Sequence, residues 1–207
     1  MFQDLVRSEA ELRALVGEPS PRARLKQLAA LDEHCRAFIA RAPFVLVATA
    51  DAEGRCDVSP KGDAPGFVRV LDDRHLLVPD RRGNRRLDGM RNILANPHVG
   101  LLFIVPGRED TLRVNGRAWV TRDAALLSPA AVDGKAPLLG IGVEVQECFL
   151  HCARSFKRAR LWQAETWDSA GLPSMQRILW DQIPACRAGT TFEEYDRESR
   201  SSLEVLY

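Results

Sequence analysis

Cysteine is sparse and poorly spaced for either of its structural uses. The five residues Cys35, Cys56, Cys148, Cys152 and Cys186 form no even set and no C-x-x-C pair, so neither a disulfide framework nor a zinc site is signalled. Long apolar runs are also missing. No stretch approaches the roughly 18 residues needed to cross a bilayer, and Met1 to Glu11 carries acids where an export signal would have a basic region and an apolar core. A reduced, cytoplasmic protein that does not engage a membrane is the expectation. There is no excess of one charge either: the formal net charge is +1, which argues against the wide basic face of a general nucleic-acid binder. The four histidines are scattered without ligand spacing. The sequence contains no G-x-S-x-G elbow, no H-E-x-x-H and no Walker lysine loop. These absences leave a binding site without an acid–base machine, which is what a cofactor carrying its own chemistry requires.

What is present fits one soluble domain. With 207 residues, 45% hydrophobic and 28% charged, the chain is long enough to bury a sizeable core. Three stretches divide it: N-terminal helices over 1–42, a β-rich core over 43–150 and a helical extension over 151–207. Ser8-Glu9-Ala10-Glu11 is a capping-box pattern ahead of Leu12, Leu15 and Val16, with Gly17 closing a short helix. Ser20-Pro21 caps a second helix predicted to run to about Ala40, with Leu25, Leu28, Leu31, Cys35, Phe38 and Ile39 as its apolar stripe.

After Pro43 the period changes to that of strands. Phe44 to Thr49, the turn Asp51-Ala52-Glu53-Gly54 and Arg55 to Ser59 make a hairpin, and Phe67 to Leu71 with His75 to Val78 make another. In an extended Asp57-Val58-Ser59-Pro60-Lys61, side chains 57, 59 and 61 share a face, and Pro60 marks an edge strand or its end. His98 to Val105 is a fully apolar strand. Thr111 to Thr121 alternates as a half-buried one, and another strand lies around Gly142 to Leu150. At least six strands interrupted by one helix predict a mainly β, α+β architecture with flanking helices, built on an antiparallel, closed or partly closed barrel. The C-terminal part reads as helices over 151–160, 173–183 and 193–200. Trp162, Trp167 and Trp180 are expected in a core or subunit interface.

Between the second hairpin and the apolar strand lies Asp80-Arg81-Arg82-Gly83-Asn84-Arg85-Arg86. Asn84 is expected to cap a helix carrying Leu87, Met90, Ile93 and Leu94 and ending at Asn96-Pro97. Free N–H groups at a helix start flanked by arginines suit a phosphate.

The order of these pieces, with Asp57-Val58-Ser59-Pro60-Lys61, the basic loop Gly83-Asn84-Arg85-Arg86 and the strand Thr111 to Ala118, resembles the pyridoxamine 5′-phosphate oxidase-like FMN-binding split barrels. The likeness is to the branch of probable FMN-dependent enzymes and covers about residues 40–162. It implies a six-stranded antiparallel split barrel that binds FMN, and a homodimer with the cofactor at the subunit interface. Carried over by position, Asp57, Val58, Ser59, Pro60 and Lys61 would lie along the flavin ring and ribityl chain. Val78, Pro79 and Asp80 would border the ring, and Asn84, Arg85 and Arg86 would hold the phosphate. Thr111 would reach the flavin from the partner subunit, and Lys157 and Arg160 would close the site from there too. Arg81 and Arg82 are left to face solvent or the partner. The implied activity is that of an FMN-dependent oxidoreductase acting on a small-molecule substrate, with NAD(P)H a candidate electron donor. The tryptophan, arginine and histidine pattern that recognises pyridoxal phosphate in the vitamin B6 oxidases is not recognisable, so the substrate stays open, as does F420 in place of FMN. The alternative is a flavin-, haem- or other tetrapyrrole-binding protein without turnover, for which His151 is the candidate iron ligand.

Overall fold

The computed structural model describes residues 1–207. Seven strands are present: β1 (Phe44–Ala50), β2 (Cys56–Gly62), β3 (Arg69–Val70), β4 (His75–Pro79), β5 (His98–Ile104), β6 (Thr111–Thr121) and β7 (Gly140–His151). They form one antiparallel sheet in the order β2-β1-β5-β6-β7-β4-β3. The expectation of six strands is corrected. The short β3 adds a seventh, and no ladder joins β2 to β3, so the sheet is open.

The strands form where alternation meets a buried face. In β1, Val45 and Val47 turn inward beside Leu101 and Phe103 of β5 and Leu112 and Val114 of β6, all at most 2% exposed. Each such side chain contributes about 1.5–3 kcal/mol by leaving water. The β4 strand is buried on both faces: Leu76 and Val78 belong to the main core, while Leu77 meets the opposite side together with Leu127 from α5 (Ala124–Leu127). Between β6 and β7 the register shifts at Asn115/Gly116. A Cβ at Gly116 would run into the Glu144 carbonyl, so the bulge needs a residue without a side chain.

The helices flank the sheet. In α1 (Glu9–Val16) the Ser8 side chain accepts from the Glu11 N–H and Glu11 accepts from the Arg7 N–H, yet no residue of the helix is buried. The single helix predicted from Pro21 to about Ala40 is two: α2 (Pro21–Leu25) and α3 (Glu33–Ile39). Leu28 leaves helical geometry to pair with Cys148 of β7 in both directions, at 3.0 and 2.8 Å, and Asp32 recaps the chain by accepting from the Cys35 N–H. A sheet edge that needed partners outweighed continuity of the apolar stripe. The stretch from His151 divides similarly. His151 belongs to β7, paired with Thr111, and α6 covers only Arg154–Ala159. Beyond it, α7 (Met175–Gln182) and α8 (Phe192–Leu203) share an aromatic cluster in which Trp180 meets Phe192 and Tyr195, each at 5.6 Å. Trp162 packs against Phe156 at 5.9 Å, and Trp167 is 61% exposed.

Candidate functional site

Because the open sheet curls, its first strand and the end of its sixth come together over a cavity of about 700 Å³. One wall is β2, the edge strand, whose residues alternate as predicted. Asp57, Ser59 and Lys61 are half-buried, while Val58 and Pro60 point the other way and are exposed. An edge strand leaves backbone N–H and C=O groups free along one side. Facing it, Lys61 Nζ donates to Asp80 Oδ1 at 3.0 Å, joining β2 to the end of β4 where no backbone ladder does. The remaining walls come from the loop 81–87, the start of α4 (Asp88–Ala95), the segment Lys135–Leu139 ahead of β7, and Tyr207.

The basic loop is not shaped as the sequence suggested. Helix α4 begins at Asp88, and its N-cap is Leu87 in the left-handed region (φ 58°) with no side-chain cap. Asn84 instead accepts from the Arg86 N–H at 3.0 Å, folding the loop on itself. Arg85 is also left-handed, at φ 61°. The reason lies in the charges around the helix start. Asp88 occupies the first turn, and Asp57 lies close enough that a Cβ on Gly89 would be 3.8 Å from its Oδ2. Carboxylates already answer the helix dipole there, so the positive charge offered to the cavity comes from the loop arginines and not from the helix end.

Six cationic side chains line the cavity against three carboxylates, Asp57, Asp80 and Asp88. Lys61 is engaged with Asp80, Arg86 with Asp88 at 2.7 Å and Arg81 with Asp63 at 2.5 Å. The hydrogen bond and charge of Asp88 hold the Arg86 guanidinium above its usual range. Arg82, Arg85 and Lys135 have no carboxylate partner. A cavity with three unpaired cations, a free strand edge and this volume fits a drug-sized anion with a planar polar body.

Of the predicted site residues, Asp57, Val58, Ser59, Pro60, Lys61, Asp80, Asn84, Arg85 and Arg86 meet at this cavity. Val78 and Pro79 do not, because both are buried within β4. Thr111 is 4% exposed at the start of β6 and lies outside it. Lys157 and Arg160 border a smaller hollow of about 290 Å³ with Trp162, where Lys157 pairs with Glu109 at 3.4 Å. His151 is also elsewhere. Its Nε2 is buried without a partner, and burial with the nearby Arg113 and Lys26 pushes its pKa down, favouring the neutral ring.

Sequence reasoning missed three wall elements. Arg81 and Arg82, both expected to face solvent or a partner, line the cavity, and Arg81 is only 18% exposed and held by Asp63. Its partner Asp63 lies in the loop after β2, 18 residues away in sequence, and no motif links the two. The segment Lys135–Leu139 had no periodic signal, and Tyr207 arrives from beyond α8. The groups of histidine, cysteine and carboxylate that a metal ion would need are absent, and no helix is long and apolar enough to cross a membrane.

A family model described as pyridoxamine 5′-phosphate oxidase matches residues 31–152. No curated protein matches the chain. Solved structures similar to it include HupZ of Group A Streptococcus, with 20% identity, 58% of this chain and 93% of that one covered and a TM-score of 0.48. A provisionally assigned pyridoxamine 5′-phosphate oxidase of Lactobacillus delbrueckii is 26% identical over 60% and 98% of the two chains, with a TM-score of 0.45. The FAD binding protein of Mycobacterium smegmatis is 16% identical over 60% and 97%, with a TM-score of 0.41.

Proposed function

Because this chain belongs to the pyridoxamine 5′-phosphate oxidase family, we propose that it is an FMN-binding split-barrel flavoprotein and an FMN-dependent oxidoreductase acting on a small-molecule substrate. The observation that carries this reading is the cavity in which Arg82, Arg85 and Lys135 stand unpaired beside the free edge of β2. A phosphate monoester carries nearly two negative charges and suits guanidinium forks. Arg85 is free to hold it, and Arg86 does so by sharing its charge with Asp88. Asn84 keeps that loop folded. Asp57, Ser59 and Lys61 present polar groups to the ribityl chain and ring from β2, and Asp80 orients the Lys61 ammonium.

When bound, FMN supplies the redox chemistry by accepting or delivering a hydride equivalent. The chain's own residues bind and orient it. An ammonium at Lys61 favours negative charge on the nearby ring edge and so raises the reduction potential.

The same reading includes a homodimer. On the outer face of the sheet, Pro60 of β2 lies level with Leu46 of β1 and Leu102 of β5, Val58 lies level with Ala48 of β1, and Phe44 and Ile104 continue the row. These side chains are exposed or half-buried in a single copy, an apolar strip suited to a second copy. Thr111, Lys157 and Arg160, which lie apart from the cavity within one chain, would complete the partner's site in that dimer.

The purified protein's visible spectrum, followed by release and mass measurement of the chromophore, tests the cofactor. Flavin bands with FMN's mass support the reading. Failure to take up FMN at concentrations on the order of tens of micromolar, or a Soret band in place of flavin bands, overturns it. Oxidation of NADH or NADPH by the FMN-loaded protein tests turnover.

A further inference from the structure

Asp63 lies in the loop after β2 with its side chain only 3% exposed, and donors from separate parts of the chain converge on it. The Ala64 N–H and the Tyr207 hydroxyl each donate to Oδ1 at 2.7 Å, and Arg81 Nε donates to Oδ2 at 2.5 Å. Arg81 also donates from Nη1 to the Ala130 carbonyl at 2.8 Å, and its guanidinium stands 5.8 Å from the centre of the Tyr207 ring. Arg81 and Tyr207 are part of the cavity wall, and Asp63 is not. The phenol proton is therefore committed to a carboxylate behind the wall, which fixes where the Tyr207 ring stands. All other wall residues fall between Asp57 and Leu139. Tyr207 comes from the segment after α8, so nothing in the sheet itself fixes it there.

We propose that Tyr207 is a positioning residue of the cofactor site, latched by Asp63 and Arg81 so that its ring forms a closing wall against bound flavin. The inference rests on the flavin reading above. An aromatic ring offers a flat, largely apolar face to a planar heteroaromatic ligand and excludes water from it. The latch is one charge-assisted hydrogen bond, strong enough to hold the segment and weak enough to release it when ligand exchanges.

Two measurements test this on the full chain. In the first, FMN-loaded wild type, Tyr207→Phe and Tyr207→Ala are diluted rapidly, and recovery of free-flavin fluorescence gives the release rate. Iodide quenching of the bound flavin reports its exposure. Tyr207→Phe keeps the ring and loses the latch, so release should be about tenfold faster, the equivalent of one hydrogen bond to a charged group. Tyr207→Ala should release faster still and show stronger quenching. Equal rates and equal quenching in all three proteins overturn the proposal. The second measurement uses cofactor-free protein. Hydrogen exchange at amides 204–207 should be about tenfold slower in wild type than in Tyr207→Phe, and equal exchange overturns the latch. If wild type takes up no FMN, the flavin reading fails, and this second measurement alone decides whether the latch exists.

Discussion

Lys61 on β2 and Asp80 at the end of β4 meet at 3.0 Å, although their strands stand first and sixth in the sheet and share no ladder. A side-chain pair thus does at this seam what backbone hydrogen bonds do in a closed barrel. With both partners about a quarter exposed, the pair contributes about 1 kcal/mol. Lys61→Met should lower the melting temperature by about 3 °C. In the proposed flavoprotein it should also make the reduction potential more negative, measurable by dye-coupled titration.

Arg85 and Arg86 are adjacent but unequal. Arg86 already serves Asp88, and Arg85 serves no acid. Arg85→Ala should weaken FMN binding about 30-fold, Arg86→Ala less, and the double substitution more than 100-fold, since each hydrogen bond between charged groups is worth about 1.5–3 kcal/mol. Riboflavin, which has no phosphate, should bind all four proteins with nearly equal affinity. Isothermal titration with both ligands makes the comparison, and equal losses for riboflavin would move these arginines away from the phosphate.

The Asp63 knot has a definite pH window. Burial opposes ionisation of Asp63, but the Tyr207 hydroxyl, the Ala64 N–H and Arg81 together hold its carboxyl below the usual 3.8. Its stabilising contribution is therefore complete above that value and lost as pH falls through the depressed one. The hydrogen bond to Asp63 raises the Tyr207 phenol above 10, so its contribution is complete below pH 10 and lost as pH rises through the raised value. Thermal melts of wild type and Asp63→Asn across pH should differ most between these limits and converge in acid. The substitution leaves Arg81 without its carboxylate and should cost about 2 kcal/mol near neutrality.

Gly116 should tolerate no side chain. Alanine there drives a methyl into the Glu144 backbone, and because both strands are central the clash cannot relax cheaply. Gly116→Ala should lose about 3 kcal/mol or more in urea unfolding, or fail to accumulate as folded protein.

The thiols should label in a fixed order. Cys35 and Cys148 lie 3.9 Å apart in the core, where burial pushes both up and keeps them protonated. Cys152 is exposed and pushed down, chiefly by a backbone hydrogen bond from Arg154 and then by nearby cations. Ellman's reagent should modify Cys152 first in the native protein, and the buried pair only on unfolding.

Much of the sheet was legible because its signals are local. Alternation alone delimits Thr111 to Thr121 to the residue, and β2 and β5 nearly so. Where the reading failed, long-range partners decided. Leu28 abandoned a helix to satisfy Cys148 at 120 residues' remove. More locally, Asn84 does not act as a cap because α4 begins four residues later, at Asp88, and the Asn84 side chain accepts from the Arg86 N–H. The nine predicted residues that meet at the cavity fall within two short spans, 57–61 and 80–86, whereas the placement of Arg81 and Tyr207 depends on Asp63, a residue that carries no periodic or motif signal.

The left-handed backbone at Arg85 and Leu87 bears on how fast an anion can arrive. Each places an L side chain where it costs about 1–2 kcal/mol, and the folded chain bears that cost before any ligand is present. A phosphate then meets a loop already in shape and loses little entropy in ordering it. Encounter should accordingly be governed by diffusion and by attraction to Arg82, Arg85 and Lys135, with an association rate that falls as salt is added.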